Sequence, residues 1–90
     1  MTTVTHLMLD VLKPHEPTAV DFARALTERV GAAEVVVEVR EMDDKTQTLE
    51  VMVEGTALDP EGIAAAISEL GGSLHSVDRV VVHRDDPGSA

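Results

Sequence analysis

Apolar and polar residues alternate with period two in three stretches of the chain and recur at helical spacing in two others. In residues 4 to 12, VTHLMLDVL, Leu7, Leu9 and Val11 share one side, with His6, Met8 and Asp10 on the other, which predicts a strand. It runs into Lys13-Pro14-His15-Glu16-Pro17, where two prolines impose an extended break. From Thr18 the period changes. Ala19, Phe22, Ala23, Leu26 and Val30 form one helical stripe, and Thr18 and Asp21 have capping-box spacing with Asp in the Glu position. Gly31 supplies a stop. Residues 34 to 42, EVVVEVREM, put Val35, Val37 and Val39 on one face and Glu38, Arg40 and Met42 on the other. After Asp43-Asp44-Lys45 the alternation resumes over Thr48 to Glu54, with Leu49, Val51 and Val53 inward. Superposing these apolar faces predicts a hairpin with Val39 opposite Val51, Val37 opposite Val53 and Arg40 opposite Glu50. Asp59, Pro60 and Glu61 carry the marks of a helix start. Ile63, Ala66, Ile67 and Leu70 line its buried side, Gly71-Gly72 ends it, and VDRVVVH (77 to 83) is a last strand.

The order β-α-β-β-α-β is the split-βαβ pattern of ferredoxin-like domains, an α+β sandwich. It predicts a four-stranded antiparallel sheet in the order 4-1-3-2 with both helices on one face. A single domain is expected over residues 1–84, with 85–90 as a flexible tail. The face without helices would carry His6, Met8, Asp10, Glu38, Glu50, Met52 and Glu54. Central methionines ringed by charge on an uncovered sheet predict an assembly surface.

Size strengthens that expectation. A chain of 90 residues and 9.6 kDa buries about 63% of its unfolded surface, which leaves a thin core that oligomerisation would extend. Seventeen acids against seven bases give a net charge of −10, a field that repels nucleic-acid phosphates and anionic membranes. Half of this charge, −5, lies on residues 34 to 54, where acids keep a sheet edge solvated. The absence of cysteine excludes disulfides, thiolate metal sites and thiol nucleophiles. No run reaches the roughly 18 apolar residues of a membrane span, and the N-terminus lacks a signal pattern, so the protein is expected in the cytoplasm.

Candidate chemistry gathers at one end of the predicted sheet. An antiparallel first and last strand bring Asp10, His15 and Glu16 towards His75, Ser76 and Asp78. Pairing Leu7 with Val81 and Val11 with Val77 sets Asp10 against Asp78 and turns Arg79 towards the core. Opposed carboxylates call for a cation, and with His and Glu nearby the group Asp10, His15, Glu16, His75 and Asp78 is a candidate divalent-cation site. Carboxylates favour calcium or magnesium, while imidazole admits a transition metal. The bland alternative is a stiff proline loop with histidines bonded to backbone. His6 and His83 read as surface residues. Asp43-Asp44-Lys45 lacks the EF-hand pattern, and Gly71-Gly72 precedes no helix that would make a phosphate loop. His75 and Ser76 are adjacent on a strand and point apart, so no catalytic constellation is visible.

At LMLDVLKPHEP (7 to 17) and GGSLHSVDRVVV (71 to 82) the chain resembles domain-of-unknown-function family 211, small proteins best known from archaea. The resemblance spans about residues 4 to 83. It implies a ferredoxin-like fold and ring-like or other homo-oligomers, without established enzymatic activity. The positions that carry it are Asp10, Lys13, Pro14, His15, Glu16 and Pro17, then Gly71, Gly72, His75, Ser76, Val77 and Asp78. Family members commonly follow this Asp with an acid, where this chain has Arg79, which sets a base beside the candidate cation site.

The expectation that follows is a non-enzymatic homo-oligomeric binding or assembly protein with a divalent-cation site near the KPHEP loop and the HSVD segment. Its alternative is a small-molecule regulatory module like an ACT domain, which shares this element order and would hold its ligand near the first strand–helix loop. An enzyme using His15 and Glu16 as base and acid is a third class.

Overall fold

A computed structural model describes residues 1–85 and gives six elements: β1 (Thr2–Pro14), α1 (Ala19–Val30), β2 (Glu34–Met42), β3 (Thr46–Leu58), α2 (Pro60–Glu69) and β4 (Ser73–Arg84). The sheet runs β2-β3-β1-β4, which is the expected 4-1-3-2 read from the other edge, and every neighbouring pair is antiparallel. Thr18 caps α1 by accepting the Asp21 amide at 3.1 Å, and Gly31 closes it with φ 64°. Asp59 precedes Pro60 at the start of α2 without a side-chain cap bond, and Gly71 turns the chain out of that helix at φ 89°.

Register sorts the sheet into transverse rows. On the helix side, Val35–Val53–Leu7–Val80 and Val37–Val51–Leu9–Val77 lie beside Val39–Leu49–Val11–Leu74. Their central members are buried with Phe22, Leu26, Ile63, Ala66 and Ile67 from the helices. The rows do not stay buried to their ends: Val77, Val80 and Val82 on β4 are each about half exposed. Length explains this. Thirteen-residue strands run about 43 Å, whereas helices of twelve and ten residues span only about 18 and 15 Å. The helix layer cannot cover the whole inner face.

Three registers differ from expectation. The hairpin pairs Val37 with Val51 and Val39 with Leu49, a two-residue slip that keeps every Val of 35, 37 and 39 on its expected face. An irregularity at Arg40 then shifts the strand, so Met42 pairs with Gln47 and joins the helix side instead of the open face. Between β1 and β4, Asp10 faces Ser76, not Asp78, because β4 carries irregularities on both sides of this pair. These also place Arg79 opposite Met8 on the open face rather than towards the core. Asp85, the first residue of the expected tail, donates its amide to Met1 O at 3.0 Å and accepts from the Thr3 hydroxyl. The rest of that tail, 86–90, lies outside the described residues.

Candidate functional site

The open face of the sheet is organised by the same rows. Glu34–Glu54–His6–Val81 comes first, Val36–Met52–Met8–Arg79 next, and Glu38–Glu50–Asp10–Ser76 third. An apolar stripe thus crosses β2, β3 and β1 between two acidic rows and ends on an arginine. Over it lies a concavity of about 260 Å³ lined by His6, Leu7, Met8, Met52, Glu54 and Arg79. His6 Nε2 lies 3.2 Å from Glu54 Oε1, which binds the rim across two strands. His6 is therefore a half-buried lining residue rather than a plain surface one. Arg40 links Glu38 at 2.5 Å and Glu50 at 3.4 Å, so the expected Arg40–Glu50 contact forms despite the slipped register.

The five expected cation ligands do not come together in one chain. Asp10 stands between Glu50 and Ser76, and no base among the described residues lies within ion-pair range of it. The Ser76 hydroxyl donates to Asp78 Oδ1 at 2.7 Å, which ties those two side chains together. His15 points away: its Nε2 meets Asp43 O at 2.7 Å, at the β2–β3 turn. Among the described residues no group of three or more His, Asp or Glu side chains is placed to hold a metal ion.

What holds the KPHEP loop is Lys13, which extends β1 beyond the expected residues 4 to 12. Its side chain is 1% exposed, and its ammonium donates to Pro14 O at 2.8 Å and Pro17 O at 2.5 Å. Burial pulls its pKa below the ordinary 10.5, and nearby Glu16 partly opposes that shift. Its cross-strand neighbour Gln47 is also buried, with Oε1 lacking a partner. The signal was present in the sequence: Lys13 continues the inward series Leu7, Leu9, Val11. The far side of the loop rests on Asp43, whose carboxylate accepts the Thr46 amide at 2.8 Å, the Lys45 amide at 2.9 Å and the Thr46 hydroxyl at 3.2 Å. Those amides, Thr46 first, hold its pKa below the usual 3.8, with His15 adding to the shift.

The family model of DUF211, described as uncharacterized ArCR, matches residues 5–85. An uncharacterized protein of Methanocaldococcus jannaschii is 41% identical over 81 residues, covering 90% of this chain and 84% of its own length. No helix among the described residues is long and apolar enough to cross a membrane.

Proposed function

This chain belongs to the uncharacterized DUF211 family, and within that family we propose for it a non-enzymatic role as a homo-oligomeric binding and assembly protein. The observation that carries the reading is the way the core rows run out into open air at Val77, Val80 and Val82 on an edge strand. An uncovered apolar edge is an association hazard unless something pairs with it. A second copy supplies both the missing strand and the missing core. Native mass spectrometry tests the proposal. Masses at multiples of 9.6 kDa support it, and a lone monomer at tens of micromolar sinks it.

A cation remains part of the proposal in reduced form, at Asp10 and Asp78. Ser76 stands opposite Asp10 and its hydroxyl holds Asp78, so two carboxylates flank one serine, an arrangement a cation would relieve. Two carboxylates leave most of the six to eight oxygens that calcium takes to be supplied by water or a second copy. Stripped protein should gain thermal stability with calcium, magnesium, manganese, zinc, nickel or copper; no response to any of them removes this part. The concavity over Met8 and Met52 favours a second reading, a small-molecule regulatory module. Its opposite charges, Glu54 and Arg79, would suit a small zwitterion such as an amino acid. Stabilisation by amino acids without metal supports that reading, and none across the common set opposes it.

A further inference from the structure

The two outer edges of the sheet are written in complementary sequence. Pairing on β2 is regular over residues 34–39, EVVVEV, up to the irregularity at Arg40. On β4 it is regular over residues 79–84, RVVVHR, beyond the irregularity at Asp78. One stretch carries two acids and no base; the other carries two bases, a histidine and no acid. Their directions also fit. β1 is antiparallel to β3 and β4, and β3 is antiparallel to β2, so β4 runs opposite to β2. A second copy that continues the sheet with its helices on the same side therefore presents its β2 antiparallel to β4.

We propose that β4 of one copy pairs edge to edge with β2 of the next. The register sets Arg79 against Glu38, Val80 against Val37, Val81 against Val36, Val82 against Val35 and His83 against Glu34, the second of each pair belonging to the neighbouring copy. This deepens the assembly reading, and rests on it, by naming the surfaces and their alignment. Every pair shares a face. Val80 and Val82 lie beside Leu7 and Val4 on the core side, where Val37 and Val35 lie beside Val51 and Val53. Arg79, Val81 and His83 share the open side with Met8, His6 and Thr3. Val36, Glu38 and Glu34 share it with Met52, Glu50 and Glu54.

Alternative alignments lose this match. A one-residue slip turns each strand's apolar set to the wrong side. A two-residue slip one way opposes Arg79 to Arg40; the other way it opposes Val81 to Glu34. Two-fold pairing of β2 with itself about Val36 sets Glu34 against Glu38, and pairing of β4 with itself about Val81 leaves Arg79 with no carboxylate opposite it. Like charges directly opposed are unfavourable. Glu38 already meets Arg40 within its own chain, but both side chains are more than half exposed and such a pair offers little resistance. Because the two surfaces differ, the contact is head to tail and propagates to a closed ring or an open filament.

The chain has no cysteine, so single-cysteine variants report the contact directly. Val36→Cys and Val81→Cys are purified separately, sized by native mass spectrometry, then mixed and oxidised. The proposal expects oligomers, with disulfide-linked dimers in the mixture at least tenfold more abundant than in either variant alone. Opposed strand residues have the Cα separation a disulfide needs. Glu34→Cys with His83→Cys reads the same register at a second place and guards against a variant that fails to fold. Oligomers whose cysteines link to their own kind, or do not link, overturn this pairing and leave the assembly reading standing. Monomers alone overturn both.

Discussion

Replacing Lys13 by methionine tests whether the KPHEP loop is held by an ammonium buried at a cost. The two bonds to Pro14 O and Pro17 O are the stabilising side. Hydrogen bonds from a charged donor contribute about 1.5–3 kcal/mol each, so removing both forfeits about 3–6 kcal/mol. Against this, an ammonium taken from water costs several kcal/mol, and the downward pull of burial on its pKa shows that cost is present here. Methionine keeps most of the apolar stem, so little cavity forms. The net loss for Lys13→Met by urea unfolding at pH 7 is therefore about 1–2 kcal/mol. Hydrogen exchange at the Asp21 and Phe22 amides, which donate to Thr18 at the end of the loop, should rise by roughly tenfold or more as the loop detaches. The pH dependence has a definite sign. Burial lowers the folded-state pKa, so the folded protein sheds this proton before the unfolded chain does. A neutral amine still has two N–H groups for its two carbonyls. The stability difference between wild type and Lys13→Met therefore grows as pH rises from neutrality through 10.5. A loss above about 4 kcal/mol would show that burying the ammonium costs little and the two bonds act nearly unopposed. Unchanged exchange at those amides, or a difference that shrinks with pH, would refute the reasoning.

Other perturbations probe the same end of the fold and the core beneath it. Asp43→Ala should free the β2–β3 turn and speed exchange at the Lys45 and Thr46 amides that its carboxylate accepts. Because its folded pKa lies below 3.8, Asp43 stabilises the fold above that value. Its advantage over Asp43→Ala, read from unfolding curves in acid, should disappear as pH falls through the lower, folded value. Gly72→Ala should cost about 1–3 kcal/mol by urea unfolding. Its new Cβ would sit 3.0 Å from Ile67 Cγ2 and 3.3 Å from both Ile67 O and Val11 Cγ1. A stability within 0.5 kcal/mol of wild type, roughly the scatter of surface substitutions, would show that the helix end yields. Asp10→Asn should remove one of the two carboxylates that flank Ser76 and abolish any stabilisation by added divalent cation.

Faces were legible in the regular stretches of the strands, whereas registers, and the faces of Met42 and Arg79 beyond an irregularity, were not. Val35, Val37 and Val39 face the helices in any alignment that slips by two, so alternation finds the core and misses the partner. The turn decides the partner: Asp43 donates its amide to Thr46 O, which carries β3 back to Thr46 and draws Met42 to Gln47. Nothing in VDRVVVH announces the irregularity that leaves Asp78 out of line with Asp10. The candidate cation site depended on that alignment, and on a loop whose direction the sequence did not give. His15 leaves β1 near two neighbours, the start of β4 and the turn before β3, and its ring goes to the turn. Lys13 carries a charge and precedes a proline, both marks of a strand end, although its phase places it inward, where it is buried. The edge match between EVVVEV and RVVVHR was visible as letters, but only the register showed which valines share a side.

Amide exchange along residues 79–84, followed by NMR over a range of protein concentrations, tests the assembly claim most directly. Inward amides of β4 bond to β1 and are protected in any state, whereas outward ones have a partner only when a second copy lies alongside. Self-assembly predicts that the outward amides are protected at high concentration and exchange at near-unprotected rates on dilution into monomer. Rapid exchange of those amides at every concentration would contradict it.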